Sequence, residues 1–286
     1  MKLLRGSLSL LLVLVLLTLG DPVQRLVIAP LARLMPSKRV AILGRWQHFM
    51  RWVVLSPIIH VGGARFPRAL DIPGGPGVLI LMNHQSVFDI PLVVESVPVN
   101  TFPRFVARKR YFRGMPLVSH MLRLYKYPCV DPLAGSQGMK ASLAAIRDAA
   151  RKTDVPLCIF PEGTRSKDGE IGPFRPTGLK LILKQRPWQV HVLVGDGYWK
   201  TAKMKDFVRG MSDVRGKLEL AGVFDWPDAS QKSEAFIEQL RSAMVDRLAE
   251  MRQATQYARP TPLLGQAPGL SGGGRLKPVG SPRHSA

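Results

Sequence analysis

The stretch Val78–Asp89 reads VLILMNHQSVFD, five apolar residues followed by a polar turn that carries a histidine and an aspartate. A short apolar run bounded by turn signals reads as a buried strand, and Ile90–Val97 behind it reads as a helix. The alternation continues downstream. Arg104–Ala107 is predicted as strand and Met115–Tyr125 as helix. Gln137–Arg151 is predicted as a helix with Met139, Leu143, Ile146 and Ala150 on one face. Val155–Phe160 reads as a buried strand, Thr177–Lys184 as helix, and Val190–Val194 and Lys217–Val223 as strands. Gln231–Arg252 closes the series as a long helix with Ile237, Leu240, Met244, Leu248 and Met251 on one face. Strands alternating with helices predict an α/β fold, a mixed and partly parallel sheet flanked by helices.

Upstream of this region Pro73–Gly77 (PGGPG) is a break. Before it, Leu8–Leu19 reads LSLLLVLVLLTL, an uncharged run of about twelve residues, shorter than the roughly 20 that a span needs. A signal peptide fits the charged start and apolar middle, but only T-L-G follows where a cleavage site is wanted. A single span would put one basic flank on the wrong side: Lys2 and Arg5 precede the run, and Arg25, Arg33, Lys38 and Arg39 follow it. A shallow, re-entrant or interfacial insertion satisfies both flanks. In Val40–His60, Ile42, Trp46, Phe49, Met50 and Val53 fall at helical spacing, with Arg45, Gln47, His48 and Arg51 opposite. A basic amphipathic helix with two tryptophans, Trp46 and Trp52, suits a headgroup boundary. The expected organisation is a membrane-associated helical segment over 1–62, a catalytic domain over 63–256 and a disordered Pro/Gly/Ser-rich tail over 257–286.

The charge distribution agrees. The 286 residues hold 41 Lys and Arg against 20 Asp and Glu, a net charge of +21. Residues 1–70 carry ten basic residues and one acid, so the excess sits at the most apolar end. An anionic partner follows: a nucleic acid, an acidic membrane surface or a phosphorylated substrate. A leucine run beside the basic residues argues for membrane and against nucleic acid. Two cysteines, Cys129 and Cys158, exclude a disulfide framework and a multi-cysteine zinc site, and no metal is expected.

Two loops carry chemistry. In NHQSVFD, His84 and Asp89 straddle a turn, where the chain can fold back. A neutral imidazole is a good general base, and a carboxylate on its other nitrogen fixes the tautomer. The same spacing recurs at His191 and Asp196, but that pair lies in the strand-like run VHVLVGD. Five residues of strand separate the two by roughly 16 Å, on opposite faces, so His191 reads as a wall residue. The second loop is Phe160–Ser166, FPEGTRS. Gly163 lets backbone approach a ligand, Arg165 offers a planar fork for phosphate, and Glu162 is placed to accept from a substrate hydroxyl or to pin Arg165. Both loops follow strands, so both can sit at the carboxyl edge of one sheet, where ligands collect in open α/β folds. Between them, Arg104–Arg113 holds five basic residues and no acid, a patch for phosphate or thioester donor.

NHQSVFD and FPEGTRS, in that order and spacing, resemble the first and third signature motifs of the glycerolipid acyltransferases, more closely the 1-acylglycerol-3-phosphate acyltransferases of bacterial membranes. The resemblance covers roughly residues 60–225. It implies that His84 deprotonates an acceptor hydroxyl, which attacks the thioester of acyl-CoA or acyl carrier protein, and that Asp89 holds His84. Glu162, Gly163 and Arg165 would bind the glycerol phosphate, with Asn83 and Thr164 beside them. FVARKRYFRGMPLVSHMLRLYKYPCVDP matches the second motif, with Arg108 and Lys109 at its basic positions and Pro116 at its proline. The product would be phosphatidic acid, made without metal or redox cofactor at the cytoplasmic face of the inner membrane, with anionic lipid as the surface partner. Two departures stand out. Pro132 occupies the place of an arginine that helps hold the acceptor phosphate, and QVHVLVG lacks the proline of the fourth motif. They open the acceptor to another lysophospholipid or lyso-lipid. A serine hydrolase would need Gly269–Gly273 (GLSGG) between a strand and a helix, and neither is present. Ser86 is too local to His84 for a triad. A non-enzymatic basic membrane or nucleic-acid binder explains the charge but leaves both loops unexplained.

Overall fold

The computed structural model describes residues 1–131, 133–201 and 204–257. Pro132, GLSGG and the tail beyond Tyr257 lie outside the described residues.

The many leucines of the start favour helix. This segment builds α1 (Lys2–Val23), which holds the donor-less Pro22 in its last turn, a π-turn (Gln24–Ile28) and α2 (Ala29–Leu34). Lys2–Leu34 thus runs as 33 helical residues, long and apolar enough to cross a membrane by length and composition. The uncharged run read from the sequence is only its middle. A second long helix, α3 (Arg39–His60), packs against α1.

The sheet begins with β1 (Val78–Met82), whose five residues are all buried. Then come α4 (Asp89–Glu95), β2 (Arg104–Phe105), β3 (Ala107–Arg108), α5 (Val118–Leu124), β4 (Cys129–Val130), α6 (Ser136–Lys152), β5 (Leu157–Ile159), α7 (Pro176–Leu183), β6 (Trp188–Asp196), α8 (Met204–Gly210), β7 (Lys217–Trp226) and α9 (Glu234–Tyr257). The five-stranded sheet has the order β2-β5-β1-β6-β7. β1 pairs in parallel with β5 and β6, β2 runs parallel to β5, and β7 closes one edge antiparallel to β6. The expected strand at Arg104–Ala107 divides at Val106, and its second half pairs with β4 in a separate two-stranded ribbon. α5 starts later than Met115 because Pro116 and a left-handed Leu117 precede it.

Alternation along β1 explains the two layers. Val78, Ile80 and Met82 face one core, shared with α4, α5 and residues of the N-terminal helices such as Ala29, Leu43, Trp46 and Met50. Leu79 and Leu81 face the other, shared with α6, α7 and the Ile237–Met251 face of α9. Residues 1–62 therefore share a core with the sheet. Two sequence readings change here. Gln47, placed on the polar side of α3, is buried and donates to the Tyr127 hydroxyl at 2.9 Å, while Phe49 and Trp52 stay exposed. The buried stripe of α6 is Ser142, Ile146 and Ala150, and Met139 faces outward.

Candidate active site

Because β1, β5 and β6 are parallel neighbours, their carboxyl ends open side by side. NHQSVFD leaves β1, FPEGTRS leaves β5, and Gly195–Asp196 ends β6. The His84 ring lies on Phe160 with centroids 4.2 Å apart, and the Ser166 N–H donates to the His84 carbonyl at 2.7 Å, so the two loops are joined at the histidine.

Asp89 opens α4 and is fully buried. Its Oδ2 lies 2.7 Å from His84 Nδ1 and also accepts the backbone N–H groups of Gln85 and Ser86 at 2.7 and 2.8 Å. An oxygen so surrounded is an acceptor, so Nδ1 carries the proton and Nε2 keeps its lone pair. The imidazole is thereby aligned as a base on its partly exposed side, with a carboxylate behind it to stabilise the imidazolium.

Glu162 has a different task from those expected of it. It is buried, its Oε1 accepts the His84 N–H at 2.9 Å, and its Oε2 accepts the Gly172 N–H at 3.0 Å. Burial raises its pKa, and the two N–H bonds pull it partly back. Each oxygen thus accepts a backbone N–H, and Glu162 ties the main chain of His84 to that of Gly172. Asn83 is corrected likewise: its amide exchanges two hydrogen bonds with the Gly195 backbone, at 2.9 and 2.8 Å, and clips β1 to β6. Gly163 adopts φ +66, and its carbonyl accepts Arg108 Nη2. Thr164 is exposed and Arg165 half-buried on the same loop. Lys109 turns away to Asp131 at 3.2 Å. The second His–Asp spacing forms no pair: His191 bonds Gln189, and Asp196 bonds Arg252 and Gln85.

Three residues that the sequence did not single out complete the surroundings. Gln85, inside the quoted motif, donates to the Gly169 carbonyl and Asp196 and accepts the Tyr198 N–H, each at 3.1 Å. Arg252, near the end of α9, grips Asp196, Glu170 and the Gly169 carbonyl, which ties the loop after FPEGTRS to the sheet edge. Arg175 lies over Gly163: a Cβ there would meet its Cδ at 2.9 Å. Only Gln85 had a local signal. The other two arrive through tertiary structure. Ser86 is fully buried, which removes it as a nucleophile.

Residues 59–193 match the family model described as Acyltransferase. A 1-acyl-sn-glycerol-3-phosphate acyltransferase of Cocos nucifera is 26% identical over 209 residues, which are 71% of this chain and 62% of that protein. One of Limnanthes douglasii is 31% identical over 109 residues, 37% of this chain and 36% of that protein. One of Helicobacter pylori is 31% identical over 119 residues, 41% of this chain and 47% of that protein. The chain thus spans less than two thirds of the length of these relatives. The crystal structure of the 1-acyl-sn-glycerophosphate (LPA) acyltransferase of Thermotoga maritima is 17% identical with a TM-score of 0.49, covering 81% of this chain and 98% of that one.

Proposed function

We propose, from the match of residues 59–193 to the Acyltransferase family model, that the protein is a membrane-associated O-acyltransferase that acylates 1-acylglycerol-3-phosphate to phosphatidic acid. The observation that carries this reading is the His84–Asp89 pair, 2.7 Å apart at the carboxyl end of a central parallel strand.

The chemistry follows from the tautomer. Nε2 of His84 takes the proton of the acceptor hydroxyl as its oxygen attacks the thioester carbonyl of acyl-CoA or acyl carrier protein. The tetrahedral intermediate expels the thiolate, which recovers the proton from the imidazolium. Asp89 holds the imidazolium through Nδ1, and Glu162 holds the backbone that carries it. An ester forms, a thioester breaks, and the proton ends on the thiol, so the reaction needs no metal or redox cofactor. Arg108 and Arg165 are the cations of the site that suit an acceptor phosphate. The exposed apolar face of Lys2–Leu34 and the aromatic pair Phe49 and Trp52 support membrane association of the first 62 residues; the proposed side is the cytoplasmic one, with residues 63–256 as the catalytic part.

The test is thiol release by the full chain in maltoside micelles, with acyl-CoA or acyl carrier protein offered against 1-acylglycerol-3-phosphate. Pro132, standing where the resemblance expects an arginine, adds other lysophospholipids and amino-acid lyso-lipids to the panel. The expected result is phosphatidic acid formation that His84→Ala lowers by about 10²–10⁴-fold, the span of a lost general base. Release of no thiol with any acceptor would end the reading.

A further inference from the structure

The turn between α1 and α2 meets the loop that precedes α5, apart from the His84 site. Gln24 is completely buried in the π-turn. Its amide donates to the Leu117 carbonyl and lies against His120 Nδ1, both at 3.0 Å, while its oxygen accepts Trp46 Nε1 at 2.9 Å. Asp21 accepts the Leu117 N–H at 2.9 Å and pairs with Arg25 at 2.8 Å. Leu117 itself has φ 59 and ψ −56, and the Val118 N–H closes on the Pro116 carbonyl at 2.6 Å. This is the positive-φ γ-turn, rare and strained for a residue with a side chain. Such a conformation persists where its surroundings over-determine it, and here Asp21 and Gln24 hold both its N–H and its C=O.

The shape so maintained is an open surface cavity of about 420 Å³ whose walls include Arg25, Arg113 and Arg123, from three different segments, with Asp21, Gly114 and Ser119. Asp21 is committed to Leu117 and Arg25. The Ser119 hydroxyl is committed to Tyr111 and Met115. Arg123 donates one guanidinium N–H to the Phe112 carbonyl, and among the described residues Arg113 makes no hydrogen bond or ion pair, so three arginines face one aspartate and the cavity keeps a positive excess. His120 behind it registers that excess: burial lowers its pKa most, and Arg25 and Arg123 lower it further against an opposing Asp21. Apolar side chains are exposed in the wall and in the neighbouring turn of helix. Leu26, next to Arg25, is 76% exposed, and Met115 in the cavity wall is 41% exposed.

We infer that this cavity binds the phosphate of a membrane phospholipid headgroup, with Arg25, Arg113 and Arg123 as ligands and Leu26 and Met115 against the glycerol end of the chains. Guanidinium forks suit phosphate oxygens, and exposed leucine beside them suits a lipid better than a free nucleotide. The inference rests on the proposed membrane association but not on the acyl-transfer chemistry.

Calorimetric titration of the full chain in maltoside micelles with dihexanoyl-phosphatidylglycerol tests it. Wild type and His84→Ala should bind alike, and R113Q/R123Q should bind about tenfold or more weakly. Inorganic phosphate should displace the lipid from wild type. Unchanged binding by R113Q/R123Q, or lipid binding indifferent to phosphate, overturns the inference. Free coenzyme A is the competing source of phosphate: arginine-dependent binding of coenzyme A without that of the lipid also overturns it. If R113Q/R123Q melts early, Arg113→Gln alone carries the comparison, because its side chain has no described contact to lose. Loss of catalysis in His84→Ala with lipid binding retained separates this site from the active one.

Discussion

Glu162 and His84 are joined through backbone: a carboxylate oxygen of Glu162 accepts the main-chain N–H of His84 at 2.9 Å, across 78 residues of sequence. The other oxygen accepts the Gly172 N–H. A glutamine in this place has the same shape but turns one acceptor into a donor, which then faces an N–H. One buried N–H is left unpaired, at a cost of about 1–3 kcal/mol. Glu162→Gln should therefore lower kcat by about 5–150-fold, the kinetic equivalent of that range. The KM for the acceptor should stay within about threefold, because the residue touches the base and not the substrate. Steady-state kinetics checks the split. A large rise in KM at constant kcat would assign Glu162 to the acceptor instead.

His191 carries a prediction about stability. It is buried in β6, its Nε2 bonds Gln189, and its Nδ1 has no partner among the described residues. Burial pushes its pKa below the ordinary 6.5, with Asp225 only partly opposing. Below that ordinary value the unfolded chain binds a proton that the folded chain refuses. Stability from this group is thus full above about pH 6.5 and declines as pH falls towards the depressed folded value. His48 and His120 are depressed by the same cause and add to the slope. Glu162, raised by burial, acts with opposite sign, its contribution present at low pH and lost as pH rises through its folded value. Urea midpoints should be lower at about pH 5.5 than at about pH 7.5, with a slope of at most about 1.4 kcal/mol per pH unit from any one histidine. His191→Gln should flatten the difference; an unchanged slope would show that this imidazole does not contribute.

What could be read from the chain beforehand follows the range of the interactions. β1 was legible because a strand buried on both faces must be apolar at every position, and VLILM is. The His84–Asp89 pair was legible because five residues around a turn bring two side chains together. The buried face of α9 was legible for the same local reason, a periodicity of one helix. Glu162 was found without its backbone partners: nothing near FPEGTRS shows that the His84 N–H would arrive beside it. Asn83 was misread similarly, since its partner Gly195 sits on a neighbouring strand. Gln47 and Gln24 look like surface residues in sequence, and both are buried because Tyr127, Trp46 and Leu117 come to meet them. Arg252 and Arg175 carried no local signal at all, being brought to the site by a C-terminal helix and by a helix start.

Gly163 offers a last test, one that separates backbone strain from steric contact. At φ +66 a residue with a side chain pays about 1–2 kcal/mol. The added Cβ of Gly163→Ala would also meet Arg175 Cδ at 2.9 Å, but that atom belongs to a flexible, exposed side chain that can swing aside. The strain should therefore dominate. The substitution should lower the melting temperature by several degrees, on the order of 2–4 °C per kcal/mol. It should also reduce kcat/KM by about tenfold as the loop carrying Arg165 and the Arg108 contact shifts. Arg175→Ala should not rescue either effect, and the double-mutant coupling should stay below about 0.5 kcal/mol, as for sites that do not interact. Melting curves and kinetics of the four proteins in the cycle decide this. If removing Arg175 restores Gly163→Ala, the steric contact matters more than the positive φ, and Gly163 is there to make room for that arginine.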